Sequence, residues 1–207
     1  MKTSTKAWDK IFQQKGVFLT EPHSDINTVV RTLQETSAKT ILDLGCGSGR
    51  HVVFLAKQGF SVYGLDNSKS GLGITKRWLE KEHLEAELVQ QEMTETLPWD
   101  NAFFDAVIST AVIHHADIKT IKGIIFEIER VLKKDGLIFI QVPKLRNQAT
   151  KYKQIEPNTL VPLDGDEKGL PHHFFTPEEL EEFFSNFHIT DIHLDEWNHY
   201  CLTGRKL

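Results

Sequence analysis

Thiols are scarce in this chain. Cys46 and Cys201 are its only cysteines, too few for a disulfide framework and compatible with a reducing compartment. No apolar run approaches the roughly 18 residues that suggest a membrane-spanning helix, and none follows the opening Met-Lys-Thr-Ser-Thr-Lys. Basic residues are not in excess either. The formal net charge of −5 gives no field to gather nucleic acid or an anionic membrane. Internal repeats and low-complexity segments are absent. These absences lead to the expectation of a cytoplasmic enzyme with no nucleic-acid partner and no membrane partner. With 207 residues, a single domain can bury a large core. Oligomeric state is left open, because no long apolar surface stripe is visible.

What is present is organised around Thr40–His51. Ile41, Leu42 and Leu44 flank Asp43, and this apolar run reads as a buried parallel strand. Gly45, Gly47 and Gly49 then fall at every second position, where a backbone can turn sharply and approach a ligand without a Cβ in the way. Beyond them Val52, Val53, Leu55 and Ala56 recur at helical spacing until Gly59 supplies a helix end. Strand, glycine turn and helix N-terminus make a nucleotide-shaped site. A second apolar run, residues 60–65, is closed by Asp66. That is about the 20-residue distance expected of a ribose-binding carboxylate.

Strand and helix patterns continue to alternate. Ahead of the first strand, Trp8, Ile11 and Phe12 form a short apolar face. Ser24 is placed to cap a helix carrying the stripe Ile26, Val29, Val30 and Leu33. Ser68 is placed to cap the helix after Asp66. Strands are expected at 86–91, 103–109 and 137–142, with a helix from Asp117 that Asp135-Gly136 breaks. Thr176-Pro177-Glu178-Glu179 is a capping-box start with proline at the first helical position. Residues 189–194 and 200–203 read as two closing strands. Helices between apolar strands imply parallel pairing with right-handed crossovers.

The spacing Gly-x-Gly-x-Gly, with Asp43 two residues ahead, resembles the first motif of class I S-adenosylmethionine-dependent methyltransferases. Glu92-Met93 falls where that family commonly sets an acid and an apolar residue around the adenine. Leu97-Pro98-Trp99, running on to Phe104-Asp105-Ala106-Val107, is similar to the leader of the family's fourth strand in small-molecule enzymes. The resemblance spans roughly residues 40–142. It implies an α/β fold: a Rossmann-like, seven-stranded, mostly parallel sheet with helices on both faces and a C-terminal antiparallel hairpin. It also implies one domain over 1–207, in which 1–39 is a helical segment and 40–142 the cofactor core. Residues 143–175 would form a lid or acceptor segment, and 176–207 the closing helix and hairpin. S-adenosylmethionine is the implied cofactor and a small molecule the implied methyl acceptor. The implied cofactor-binding residues are Asp43, Gly45, Cys46, Gly47, Gly49, Arg50, Asp66, Asn67, Glu92, Met93 and Ser109. For Arg50, the same Gly-x-Gly-Arg run occurs in tellurite-resistance-type methyltransferases, which suggests a partner for the methionine carboxylate; a solvated arginine is the alternative. A dinucleotide-dependent oxidoreductase and a non-catalytic module that binds the cofactor remain as other classes.

Such chemistry requires water to be excluded and an acceptor held in line with the S–CH₃ bond; a general base is optional. His114 and His173 are the base candidates. His114-His115 follow the fourth strand at the ligand-binding edge of the sheet. His172-His173 close an aperiodic stretch, 143–175, of the length that lids have. Tyr152, Phe174 and Phe175 would then cover the acceptor. A loop histidine bonded to a backbone carbonyl is the structural alternative. No metal site is expected, because neighbours on a strand point apart and no Cys-x-x-Cys accompanies the histidines. Trp8 and Phe12 either help to close the site or pad the sheet edge. Lys144, Arg146, Lys151 and Lys153 are offset nearby by Asp164, Asp166 and Glu167, as in a solvated surface.

Overall fold

The computed structural model describes residues 2–17, 19–144 and 151–207; Arg146 lies outside them. Two helices, α1 (Lys2–Lys15) and α2 (Ile26–Glu35), lead into β1 (Thr40–Leu44), α3 (Arg50–Lys57), β2 (Ser61–Asp66), α4 (Lys69–Glu82) and β3 (Glu87–Gln90). The second half runs β4 (Phe104–Thr110), α5 (Ile118–Val131), β5 (Leu132–Pro143), β6 (Tyr152–Glu156), β7 (Thr159–Pro162), β8 (His172–His173), α6 (Pro177–Phe183), β9 (Phe187–Leu194) and β10 (His199–Lys206). Seven strands form one sheet in the order β3-β2-β1-β4-β5-β10-β9. β1 pairs in parallel with both β2 and β4, whereas β10 is antiparallel to β5 and β9. The strand order therefore reverses at β1, and the carboxyl ends of β1, β2 and β4 open a crevice there.

Each side of this sheet is covered by its own helices. Ile41 packs with the α2 stripe Ile26, Val29, Val30 and Leu33, and with Val52, Leu55 and Leu72 from α3 and α4. Leu42 and Leu44 face the other way, onto Ile121, Ile124 and Ile128 of α5 and Leu180 and Phe184 of α6. The period of two along β1 thus places Asp43 on the α2–α3 side. Among the described residues no helix is long and apolar enough to cross a membrane.

Several local signals act as the sequence suggests. Ser68 Oγ accepts from the Gly71 amide at 3.0 Å and Asp117 Oδ1 from the Thr120 amide at 2.8 Å. Thr176 and Glu179 form the reciprocal capping box. Three expectations change. The residue that caps α2 is Asp25, not Ser24, and its side chain makes no capping bond. The α5 helix stops at Val131, before Asp135-Gly136, because Leu132 pairs with Phe104 and a register shift then absorbs residues 133–136. Within 143–175, three short strands form a separate antiparallel sheet, β6-β7-β8. It is docked rather than loose: the Ile118 amide donates to Glu156 at 2.6 Å, and the His173 amide to the His114 carbonyl at 2.8 Å.

Asp105 ties the entrances of three strands together. Its Oδ2 accepts from the Lys39 and Thr40 amides at 2.8 and 2.9 Å and from Thr40 Oγ1 at 2.9 Å. Lys133 Nζ lies 2.7 Å from its Oδ1. Partial burial raises the pKa of this carboxyl, but the Lys133 ammonium and those amides outweigh it and hold the group well below the ordinary carboxylate range. The folded pKa is thus below the unfolded one, so the stabilisation is complete above the unfolded value and fades as pH falls through the acid range. Asp105→Ala is expected to cost about 1.5–3 kcal/mol at pH 7. In urea titrations the gap to the unaltered chain should narrow steadily toward pH 2.

Candidate active site

The crevice at the strand-order reversal holds a cavity of about 210 Å³. The turn after β1 forms its floor. There the Gly45 and Cys46 amides donate to the Leu65 carbonyl at 2.7 and 3.0 Å. Asp66 takes the next amide: its Oδ2 accepts from Gly47 N and its Oδ1 from Ser68 N, each at 2.8 Å. Gly47 has φ +53°, and the Phe12 ring lies so close over it that a Cβ there would meet Phe12 at 2.9 Å. Gly49, the residue before α3, has φ +90°, and a Cβ on it would meet Thr75 at 2.6 Å. The glycines at 47 and 49 are therefore demanded by backbone geometry as well as by space.

Seven of the expected cofactor residues line the cavity: Gly45, Cys46, Gly47, Arg50, Asp66, Asn67 and Met93. Four do not. Asp43 is buried beside the turn, Gly49 packs on Thr75, and Glu92 accepts from Asn67 Nδ2 at 3.2 Å. Ser109 donates its hydroxyl to the Leu44 carbonyl at 2.9 Å and so stitches β4 to β1.

Neither base candidate reaches the cavity wall. His173 is fully buried, with Nδ1 2.8 Å from Thr159 Oγ1 and Nε2 3.7 Å from Glu179. His114 is buried in the β4–α5 turn. It is His115 that faces the cavity, together with Trp8, Phe12 and Leu19. Burial and the neighbouring His172 lower the pKa of His115 to about 4, so it is a neutral imidazole at pH 7. Phe174 and Phe175 are buried away from the cavity, and Tyr152 does not line it. The aromatic cover comes from α1 instead.

Sequence reasoning missed what holds α1 there. Asp9 Oδ1 accepts from Ser68 Oγ at 2.9 Å and from the Ser70 amide at 2.7 Å, fastening α1 to the start of α4. The signal was present as an acid between Trp8 and Ile11, but its partners lie about sixty residues away. The expectation that paired histidines point apart also fails at 114–115. These residues sit in a turn rather than on a strand, and their ring centroids are 3.8 Å apart.

Residues 41–136 match the family of methyltransferase domains. An uncharacterized methyltransferase of Synechocystis sp. (strain ATCC 27184 / PCC 6803 / Kazusa) is 32% identical over 108 residues, which are 52% of this chain and 49% of that protein. The chain spans less than half the length of the first curated relatives it matches. Among solved structures, a SAM-dependent methyltransferase from Methanosarcina mazei superposes with a TM-score of 0.72 at 22% identity, over 90% of this chain and 99% of that one. The 1,6-didemethyltoxoflavin-N1-methyltransferase of Burkholderia thailandensis, solved with 1,6-didemethyltoxoflavin and S-adenosylhomocysteine bound, gives 0.69 at 18% identity, over 99% and 88%. The chain thus has the Rossmann-like fold of these structures.

Beside the glycine turn lies a buried carboxyl with one oxygen that makes no hydrogen bond. Asp43 is 1% exposed and its Oδ2 accepts no hydrogen bond. Burial pushes its carboxyl up to about 7, with Arg50 opposing the rise and Asp66 adding to it. The folded pKa is above the unfolded one, so stability is lost as pH climbs from about 4 through 7. Asp43→Asn is expected to make the ligand-free protein more stable at pH 8, by roughly 2–4 kcal/mol. In thermal melts that advantage should vanish toward pH 4.

Proposed function

We propose that this chain transfers a methyl group from S-adenosylmethionine to a small-molecule acceptor. The observation that carries this reading is the Asp66 carboxylate, which ends β2 beside the glycine turn and lines the same cavity as Arg50. The pocket fits the cofactor chemically. Each Asp66 oxygen accepts one backbone amide and keeps capacity for further donors, which suits a vicinal diol. Arg50, at the first turn of α3, is partly buried near the unpaired Asp43 carboxylate, and a ligand carboxylate would satisfy it. Leu65 and Met93 offer an apolar slot beyond Asp66, suited to adenine, and Asn67 holds Glu92 beside it.

Bound there, the cofactor supplies an electrophilic methyl on a sulfonium with a neutral leaving group. Asp66 and Arg50 hold the two polar ends of the ligand. Trp8, Phe12 and Leu19 exclude water from the space above the turn, which strengthens every polar contact inside it. His115 and Val112, in the turn after β4, line the cavity and are the groups we assign to the acceptor. A neutral His115 orients an acceptor through a hydrogen bond. His114 and His173 are absent from the cavity lining, and a general base is not assigned to either. The absence of a basic bias in composition favours a small molecule over RNA as acceptor, and the likeness to methyltransferases favours methyl transfer over hydride transfer.

Titration calorimetry with S-adenosylhomocysteine tests the reading. Asp66→Ala is expected to weaken binding by ~1.5–3 kcal/mol, the worth of a charge-assisted hydrogen bond. It should also lower the melting temperature, because the Gly47 and Ser68 amides lose their acceptor. Asp105→Ala is the control for instability alone: it is remote from the cavity and should leave affinity unchanged. Equal dissociation constants for the Asp66 variant and the unaltered chain would contradict the ribose placement.

A further inference from the structure

The β4–α5 turn and β8 bring three imidazoles together at the edge of the cavity. Ring centroids of His114 and His115 are 3.8 Å apart, His115 and His172 4.7 Å, and His114 and His172 5.7 Å. One ring nitrogen from each lies within 4.8 Å of the others. His114 and His172 are buried.

The hydrogen bonds decide which nitrogens are free. A carbonyl only accepts, so the Nδ1 of His115, 3.1 Å from the Val112 oxygen, carries a proton. So does the Nδ1 of His172, 2.9 Å from the Leu170 oxygen. In a neutral ring that leaves each Nε2 with its lone pair, the arrangement by which backbone carbonyls orient metal-bound histidines. His172 Nε2, however, faces Glu167 Oε2 at 2.8 Å. A proton or a metal cation can bridge that pair. Independently, His114 Nδ1 is buried with no hydrogen-bond partner.

We propose that His114, His115 and His172 form a binding site for a divalent transition-metal cation of the zinc class, with Glu167 as a neighbour that positions His172. Three imidazole nitrogens with an open fourth position make a ligand set that zinc and cobalt accept. Magnesium and calcium, which require oxygen ligands, do not fit it. His115 also lines the cavity, so the cation would stand at the acceptor end. There it would attract an anionic oxygen or sulfur. The site goes beyond the methyl-transfer reading and does not rest on it. Its test needs neither cofactor nor turnover.

Chelator-treated full-length protein is titrated with Co²⁺, following the visible d–d absorption of four-coordinate cobalt, and then with Zn²⁺ in competition. One equivalent of cobalt is expected, displaced by one of zinc, with a melting temperature that rises with added zinc. His172→Ala and Glu167→Gln should each weaken cobalt binding at least ~10-fold. Glu167 is 41% exposed in its side chain, so its variant keeps the fold even if His172→Ala does not. His193→Ala, in the separate cluster of His193, Asp25 and Cys201, should leave binding unchanged. Absence of a cobalt spectrum overturns the proposal. So does full affinity in Glu167→Gln, or loss of binding in His193→Ala alone.

Discussion

Asp66 accepts the Gly47 amide with one oxygen and the Ser68 amide with the other, while the Leu65 carbonyl takes the amides of Gly45 and Cys46. The loop leaving β1 is thus suspended from the end of β2, and the start of α4 hangs from the same carboxylate. Burial raises the pKa of Asp66, and the Ser68 and Gly47 amides pull against that rise. A carboxylate kept in low dielectric by backbone donors is rigid. The cavity inherits that rigidity, because its floor is backbone rather than side chain.

Around this floor the chain buries an unusual amount of titratable chemistry. Asp43, His51, His114 and His173 are all nearly inaccessible. His51 is kept neutral by burial and by Arg50 and His23, and its Nε2 accepts the His23 amide at 3.1 Å. Neutral imidazoles here serve as packing that can still bond a backbone amide or carbonyl. A carboxyl such as Asp43 becomes neutral only by taking up a proton, and burial pushes its pKa up to about 7.

The fold was legible where physics is local. The stripe of α2, the capping box of α6, the serine before α4 and the glycine turn each declare themselves within one or two turns of chain. Asp66 was legible because β2 follows α3 at a distance the crossover dictates. Features built from distant partners were not. Asp9 meets Ser68 and Ser70, Glu156 meets Ile118, and His172 meets His115, contacts that no periodicity encodes. The end of α5 was misplaced for the same reason: Asp135-Gly136 is a local stop, but pairing of Leu132 with Phe104 ends the helix sooner. His114 and His173 were picked by adjacency to a strand end and to a long segment. The backbone then turned His115 toward the cavity and folded His173 into the small second sheet.

The fastening of α1 has a mechanical consequence. Trp8 and Phe12 form a wall of the cavity, and the Asp9 carboxylate fastens α1 to the threshold of α4. Ser68 and Ser70, at the other end of that link, adjoin Asp66, so ligand contacts and helix docking share one short stretch of backbone. A change that loosens the Asp9 fastening therefore also disturbs the backbone that carries Asp66. Cover and floor of the cavity are thus mechanically coupled through residues 66–70.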